Sequence, residues 1–209
     1  MTQPATQQRI VLIVGGSQRV LDDTVATLGD HGYIAHATND IDGDVSDLVD
    51  LTAVDLAVLG TRMSGERRTE VREQITAVNP RAMFIDGLGG IPGLIASQVD
   101  EAFTVGHRDP APAPAYEPDD HTIRLTLTDL AAVTVTVWWR TSIIPPNPES
   151  DSLVLLDGPL PRGKHTIPVP DHVFLPPKRL PDSPNPSQAV FASVRVDAAI
   201  YNFGIATGQ

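Results

Sequence analysis

A glycine-rich segment between a predicted strand and a predicted helix is the strongest candidate for ligand chemistry in this chain. It reads Asp86-Gly-Leu-Gly-Gly-Ile-Pro-Gly93. Gly87, Gly89 and Gly90 permit positive φ angles and a close approach of backbone to a bound group. Backbone N–H groups at a helix start attract anions, and open α/β sheets bind ligands at the carboxyl ends of their strands. The segment therefore predicts an anion or nucleotide site, with a plain tight turn as the alternative.

A second glycine-containing turn, Gly15, Gly16 and Ser17, follows the first predicted strand. It could face a phosphate, but it lacks the third glycine of the dinucleotide fingerprint, and Arg19 is the only cation nearby in the sequence. In the glycine-rich segment Asp86–Gly93, the carboxylate of Asp86 would repel a phosphate. We therefore expect no cofactor, and we keep a nucleotide or dinucleotide as the alternative.

Two adjacent tryptophans mark a candidate surface in the second half of the chain. Neighbouring residues of a strand point to opposite faces, so Trp139 joins the valine-rich core face and Trp138 shares the other face with Arg140. A partly exposed Trp beside Arg suits a protein interface. We predict that Trp138 and Arg140 contribute to interdomain or intersubunit packing, and a stacked carbohydrate-type ligand is the alternative.

No group of residues predicts a catalytic or metal site. The chain has no cysteine, which excludes disulfides, thiolate metal ligands and Cys nucleophiles. His165 and His172 flank Asp171 without the spacing of a known zinc motif, and no G-x-S-x-G elbow occurs. Arginines and glutamates alternate on one predicted helix and indicate a solvated face: Arg67, Arg68, Glu70, Arg72 and Glu73.

The first hundred residues alternate apolar strands with helices, which predicts a parallel sheet covered on both faces. The predicted strands are Arg9–Val14, Ile34–Ala37, Val54–Leu59, Ala82–Ile85 and Phe103–Val105. The predicted helices are Val20–His31, Ile41–Leu51, Thr69–Val78 and Leu94–Glu101.

The second half has a period of two and no helical spacing. Residues 123–127 and 133–140 alternate apolar and polar side chains, which predicts an antiparallel hairpin. Four further strands are predicted at Ser152–Leu156, His165–Val169, Val190–Val196 and Ile200–Ile205. Six short strands separated by loops rich in Pro and Gly predict a small antiparallel β-sandwich or barrel.

Proline usage divides the chain. Sixteen of the nineteen prolines lie after residue 108, and residues 108–120 form a Pro/Ala/acid segment of the kind that makes stiff linkers. We predict an α/β domain over 1–107, a linker over 108–120 and a β-sandwich-like domain over 121–209.

The element order over residues 9–107, with Asp30-His-Gly-Tyr33 leading into the second strand, resembles the receiver domain of bacterial response regulators. The resemblance implies a flavodoxin-like, five-stranded, doubly wound parallel sheet. It also implies two acids after strand one, a phosphorylated Asp after strand three, a Thr or Ser after strand four and a Lys after strand five.

This chain departs from the receiver pattern at every functional position. The matching residues are Gly15 and Gly16, Gly60, Asp86 or Gly87, and Gly106. The family's fifth helix is also missing, because the proline-rich segment begins there. The pattern predicts a degenerate receiver that neither binds magnesium nor accepts a phosphoryl group, or another flavodoxin-like or Rossmann-like module.

Charge and hydropathy limit the partners. The net charge of -11 argues against a nucleic-acid partner. The polar N-terminal residues lack the order of a signal peptide, and no apolar run approaches a membrane span of about 18 residues, so we expect a cytoplasmic protein.

The predicted function is a non-catalytic regulatory or assembly protein that binds a protein partner or itself. The alternatives are an anion- or nucleotide-binding protein, with or without enzyme activity, and a carbohydrate-binding β-domain.

Overall fold

The computed structural model describes residues 8–15, 17–40, 43–60, 63–88, 90–104, 113–144, 148–180 and 188–205. Backbone contacts divide the chain into two compact units, Met1–Ala96 and Ser97–Gln209. This division falls within a helix, whereas the sequence predicts a boundary at residues 108–120. Three residues of that predicted linker, Ala115–Glu117, form a strand. The predicted domain limits stay a prediction.

The first unit contains a four-stranded parallel sheet with helices, which confirms the predicted α/β class. The strands stand in the order β2-β1-β3-β4. Their bounds are β1 Ile10–Val14, β2 Ile34–Thr38, β3 Leu56–Gly60 and β4 Met83–Gly87. The helices are α1 Gln18–Asp30, α2 Gly65–Val78 and α3 Pro92–Thr104, and α3 continues into the second unit.

Local sequence explains where these elements begin and end. Val11 to Val14 are buried without interruption, as expected of a central parallel strand. Ser17 caps α1 by accepting a hydrogen bond from the Val20 N–H. Gly32 follows the helix with a φ of 86°, which reverses the chain into β2. The N-cap of α2 is Ser64, whose side chain accepts from the Arg67 N–H.

Two predicted elements of the first half are wrong. The predicted fifth strand is not formed, because Phe103 and Thr104 are the last residues of α3; Val105 lies outside the described residues. Ile95, Val99 and Phe103 continue the four-residue spacing of a helix, which outweighs a three-residue strand pattern. Among the described residues, the parallel sheet therefore has four strands.

A helix is predicted over 41–51, but the part of it that the structure describes, from residue 43 onward, forms short 3-10 turns at Val45–Asp47 and Leu51–Ala53. Asp44 and Asp50 accept backbone N–H groups two residues onward, at 2.9 Å each. Such local bonds compete with a continuous helix. They also lower the pKa of both carboxyl groups: the largest cause is the backbone N–H of Ser46 for Asp44 and the side chain of Thr52 for Asp50.

Within the described residues, the second unit contains seven antiparallel strands in two sheets. The strands are β5 Ala115–Glu117, β6 Thr122–Leu127, β7 Ala131–Ser142, β8 Glu149–Leu160, β9 Gly163–Pro168, β10 Val190–Val196 and β11 Ala199–Ile205. One sheet has the order β11-β10-β7-β8 and the other β5-β6-β9. Their buried faces share one core, which includes Ile123, Leu125, Val135, Val137 and Val194. This arrangement favours the sandwich, because the described strands do not close into a barrel.

The predicted hairpin between β6 and β7 is also wrong. β6 pairs with β5 and β9, whereas β7 pairs with β8 and β10. The residues between β6 and β7 therefore carry the chain from one sheet to the other. Period-two patterning identifies the face of a strand that is buried, and it leaves the neighbouring strand unspecified.

The residues of α3 that belong to the second unit lie against β10 and β11. The hydroxyl oxygens of Ser97 and Ser193 are 2.6 Å apart, and Arg195 forms an ion pair with Asp100 at 2.9 Å. The Asn202 side chain donates to the Ser97 carbonyl oxygen at 3.1 Å. Hydrogen bonds and an ion pair thus hold the end of α3 on the outer face of the antiparallel sheet β11-β10-β7-β8. Among the described residues, no helix is long and apolar enough to cross a membrane.

Candidate functional site

The carboxyl ends of β1, β3 and β4 carry three glycines, Gly15, Gly60 and Gly87, and we call these ends the carboxyl edge. Gly60 and Gly87 are partners in the register of β3 and β4. Gly15 follows β1 directly with a φ of 102°, and its N–H donates to the Thr38 carbonyl oxygen at 2.9 Å. Receivers place their acids at this edge, so its packing decides what chemistry the unit can perform.

The backbones of Gly15 and Gly60 lie close together, and this limits the side chains that the two positions accept. A Cβ atom added to Gly60 would lie 3.0 Å from the Val14 carbonyl oxygen and 3.3 Å from the Cα and carbonyl carbon of Gly15. A Cβ atom added to Gly15 would lie 3.5 Å from the Gly60 Cα, in a φ region that only glycine adopts readily. A side chain on Gly60 would therefore crowd the neighbouring backbone, whereas one on Gly15 would meet ordinary contacts and be disfavoured by its φ angle.

The carboxylate of Asp86, on β4, lies between two arginines of α2. Its Oδ1 is 3.6 Å from an Nη1 of Arg68 and 3.5 Å from an Nη2 of Arg72. The other terminal nitrogen of Arg68 donates to the Gly60 carbonyl oxygen at 3.3 Å. A spacing of four residues brings both arginines to one face of α2. The group of two guanidinium ions and one carboxylate leaves a local excess of one positive charge.

Sequence reasoning missed this group. It interpreted the arginines of α2 as a solvated face, yet the side chain of Arg68 is only 27% exposed, and that of Arg67 only 13%. Arg67 pairs with Glu70 at 3.0 Å and donates to the Gly43 carbonyl oxygen. The usable signal was the position of Asp86 at the end of a strand, with an arginine pair spaced by one helical turn.

Among the residues predicted to bind a ligand, the described glycines and the serine have packing or turn roles. A Cβ atom on Gly87 would lie 3.0 Å from a methyl carbon of Val58. Gly90 has a φ of 60° just before α3, and Ser17 caps α1. Gly16 and Gly89 lie outside the described residues, as does Gly106. The ligand-loop hypothesis stays a prediction.

The tryptophan pair divides between faces as the sequence predicts. Trp139 is 7% exposed in the shared core, and its ring lies edge-on to His172 with centroids 5.8 Å apart. Trp138 is half-buried on the opposite face, beside Phe191 of β10. Burial lowers the pKa of Arg140. The interface or carbohydrate role of Trp138 and Arg140 stays a prediction.

His165 and His172, which flank Asp171 in the sequence, make contacts elsewhere than at its carboxylate. The Nε2 of His165 is 2.8 Å from the Pro161 carbonyl oxygen, and His172 packs on Trp139. Asp171 instead lies 3.0 Å from the Nδ1 of His121. No group of three or more His, Cys, Asp or Glu residues in the described part of the chain could hold a metal ion.

No protein-family model matches this chain, and no curated protein matches it. The resemblance to receivers therefore depends on element order and on the residues quoted for it. Functional conclusions depend on the geometry of the carboxyl edge and of the second unit.

Proposed function

We propose that this is a non-catalytic, cytoplasmic regulatory or assembly protein. Its receiver-like first unit does not take up phosphate, and its β-rich second unit binds a protein partner or a second copy of the chain. The close approach of the Gly15 and Gly60 backbones is the observation that supports this proposal, because a side chain on Gly60 would crowd Val14 and Gly15 at the strand ends where the resemblance to receivers would put acids.

Phosphoryl transfer explains why this contact matters. Catalysis of that reaction depends on positioning the nucleophile and on cations that neutralise developing charge. Gly60 supplies no nucleophile at the end of β3. Asp86, a carboxylate at this edge, lies within 3.6 Å of two guanidinium groups, which compete with any metal ion for its oxygens. These features support a unit that serves as a binding surface.

We predict that acetyl phosphate and Mg²⁺ leave the mass of the full-length chain unchanged. The physical reason is that no carboxylate stands at the end of β3 to attack the phosphorus. Intact-mass spectrometry checks this, with a phosphorylation-competent receiver in a parallel tube as the control. A hydroxylamine-sensitive phosphoryl adduct on this chain would contradict the proposal.

Anion binding at the carboxyl edge is the second candidate function. Two arginines share one oxygen of Asp86 at long distances. A phosphate group could accept from the terminal nitrogens of Arg68 and Arg72, which lie within 3.6 Å of one carboxylate oxygen, since arginine donors form paired bonds with phosphate oxygens. The excess positive charge favours such a ligand.

For this candidate we predict that inorganic phosphate, pyrophosphate or ATP raises the melting temperature, and that Arg68→Gln removes the increase. A ligand at a hundred times its Kd stabilises the folded state by about 2.7 kcal/mol. Arg124→Gln is the matched control, because Arg124 forms exposed ion pairs on β6 and β5. Equal increases in both variants, or none in the wild-type chain, would exclude this site.

A further inference from the structure

A cleft at one end of the β-sandwich lies wholly within the second unit. It has a volume of about 300 Å³. The turn between β6 and β7 forms one wall, the turn between β10 and β11 forms another, and Pro114 completes the lining. This volume is at the lower limit of typical small-molecule sites, so the cleft suits one small group and excludes a large cofactor.

The walls combine apolar surface with two carboxylates. Leu130 is 71% exposed at the cleft, and Leu127, Val196 and Tyr201 add further apolar surface. Asp129 and Asp197 line the same cleft, and none of the described residues of its lining is Lys, Arg or His. The described lining thus contributes two negative charges and no positive charge.

One of the two carboxylates is held in place by the fold. The Oδ1 of Asp197 accepts a hydrogen bond from the Ala132 N–H at 2.9 Å, and its own N–H donates to the Ala132 carbonyl oxygen at 2.8 Å. Asp197 has a φ of 49°, at the tip of the turn between β10 and β11. These two bonds fix the carboxylate against the start of β7, while its second oxygen forms no bond among the described residues. A preorganised charge loses little freedom when a ligand binds.

We infer that this cleft binds an organic cation, an ammonium or guanidinium group carried on a short apolar stem. Like-charge repulsion disfavours an anion. A bare metal ion such as Ca²⁺ requires six to eight oxygen ligands, and two carboxylates in apolar surroundings do not supply them. A cation with an apolar stem uses both features of the lining, since its charge lies near the carboxylates and its carbon atoms contact Leu130.

A cationic group on an apolar stem can come from two sources, a free organic cation or the Arg or Lys side chain of a protein. The test is an NMR titration of the full-length, ¹⁵N-labelled chain with n-butylguanidinium. Neutral n-butylurea is an isosteric probe, and anionic pentanoate carries the same butyl stem with the opposite charge. We expect butylguanidinium to shift the amides of Asp129, Leu130 and Asp197, and the two other probes to bind at least about fivefold more weakly.

Matched variants separate this site from general attraction to an acidic protein. Asp129→Asn removes one charge of the cleft, and we expect the Kd to rise about fivefold. Asp151→Asn also removes one negative charge, but far from the cleft. Asp151 lies opposite Trp139, and Trp139 is about 26 Å from Ala131 along β7 at 3.3 Å per residue. This variant should therefore leave the Kd unchanged. Asp197→Asn keeps an acceptor for the Ala132 N–H, so it retains the fold and also weakens binding.

A blocked peptide, acetyl-Ala-Arg-Ala-amide, distinguishes the two sources. Binding at least fivefold tighter than butylguanidinium identifies a protein side chain as the ligand, and equal binding identifies a free organic cation. The inference is overturned if no cleft amide shifts with butylguanidinium, if butylurea binds equally well, or if Asp151→Asn weakens binding as much as Asp129→Asn.

Discussion

Replacing Gly60 with aspartate introduces the residue type that receivers carry after their third strand, and we expect it to destabilise the protein without making it accept phosphate. The new Cβ atom would stand 3.0 Å from the Val14 carbonyl oxygen and 3.3 Å from Gly15, so β1 and β3 must separate. Overpacking of this kind costs about 1–3 kcal/mol. The carboxylate also enters near a carbonyl oxygen, which adds repulsion. Thermal and urea unfolding of the full-length chain measure the loss.

Gly65→Asp is the matched control. Gly65 begins α2, and a Cβ atom there meets nothing within 4 Å. An acid in the first turn of a helix stabilises it by about 0.3–1 kcal/mol, so this variant should unfold at or above the wild-type temperature. A Gly60→Asp variant that is as stable as wild type, and that acquires phosphate from acetyl phosphate, would show that the backbone contact does not close the site.

Truncating the two tryptophans should have very different effects, although they are neighbours in sequence. Trp139 is 7% exposed and lies in the core shared by both sheets. Trp139→Ala leaves a large cavity and should lower the free energy of unfolding by about 3–5 kcal/mol. Trp138 is only half-buried, so Trp138→Ala should cost at least about 1 kcal/mol less. Chemical denaturation of the two variants measures the difference.

Fluorescence gives an independent check of the same assignment. Trp138→Phe leaves Trp139 as the only tryptophan, and Trp139→Phe leaves Trp138 alone, because the chain contains two. The protein that retains Trp139 should show the bluer emission and the weaker quenching by acrylamide. Equal stability losses together with equal quenching would mean that the two faces of β7 are assigned wrongly.

The sequence predicts elements well where local chemistry determines them. The unbroken apolar run of β1, the spacing of Leu21 and Leu28 in α1, and Gly32 after that helix all lie where the pattern places them. The burial of Trp139 follows from strand alternation alone. These features depend on residues close together in the chain, so a pattern within a short window contains the necessary information.

Other features depend on contacts between distant residues and were missed. The pairing of β6 with β9, in place of β7, depends on how two sheets share one core. Gly60 seemed only to lack an acid, whereas its contact with Gly15 follows from the close parallel packing of β1 and β3. Likewise, the ion pair of Arg68 with Asp86 and the cleft that Asp129 and Asp197 both line join residues from separate segments. No periodicity within a single segment encodes those distances.

The most direct test of the central claim is an NMR titration of the full-length chain with Mg²⁺ and beryllofluoride, which mimics a phosphoryl group on a receiver aspartate. The amide signals of Gly15, Gly60 and Gly87 report on the carboxyl edge. Our account predicts that these three signals do not move with both reagents present, because the backbone contact and the arginine pair occupy the edge. Saturable shifts of the three glycines that require both Mg²⁺ and beryllofluoride would contradict it.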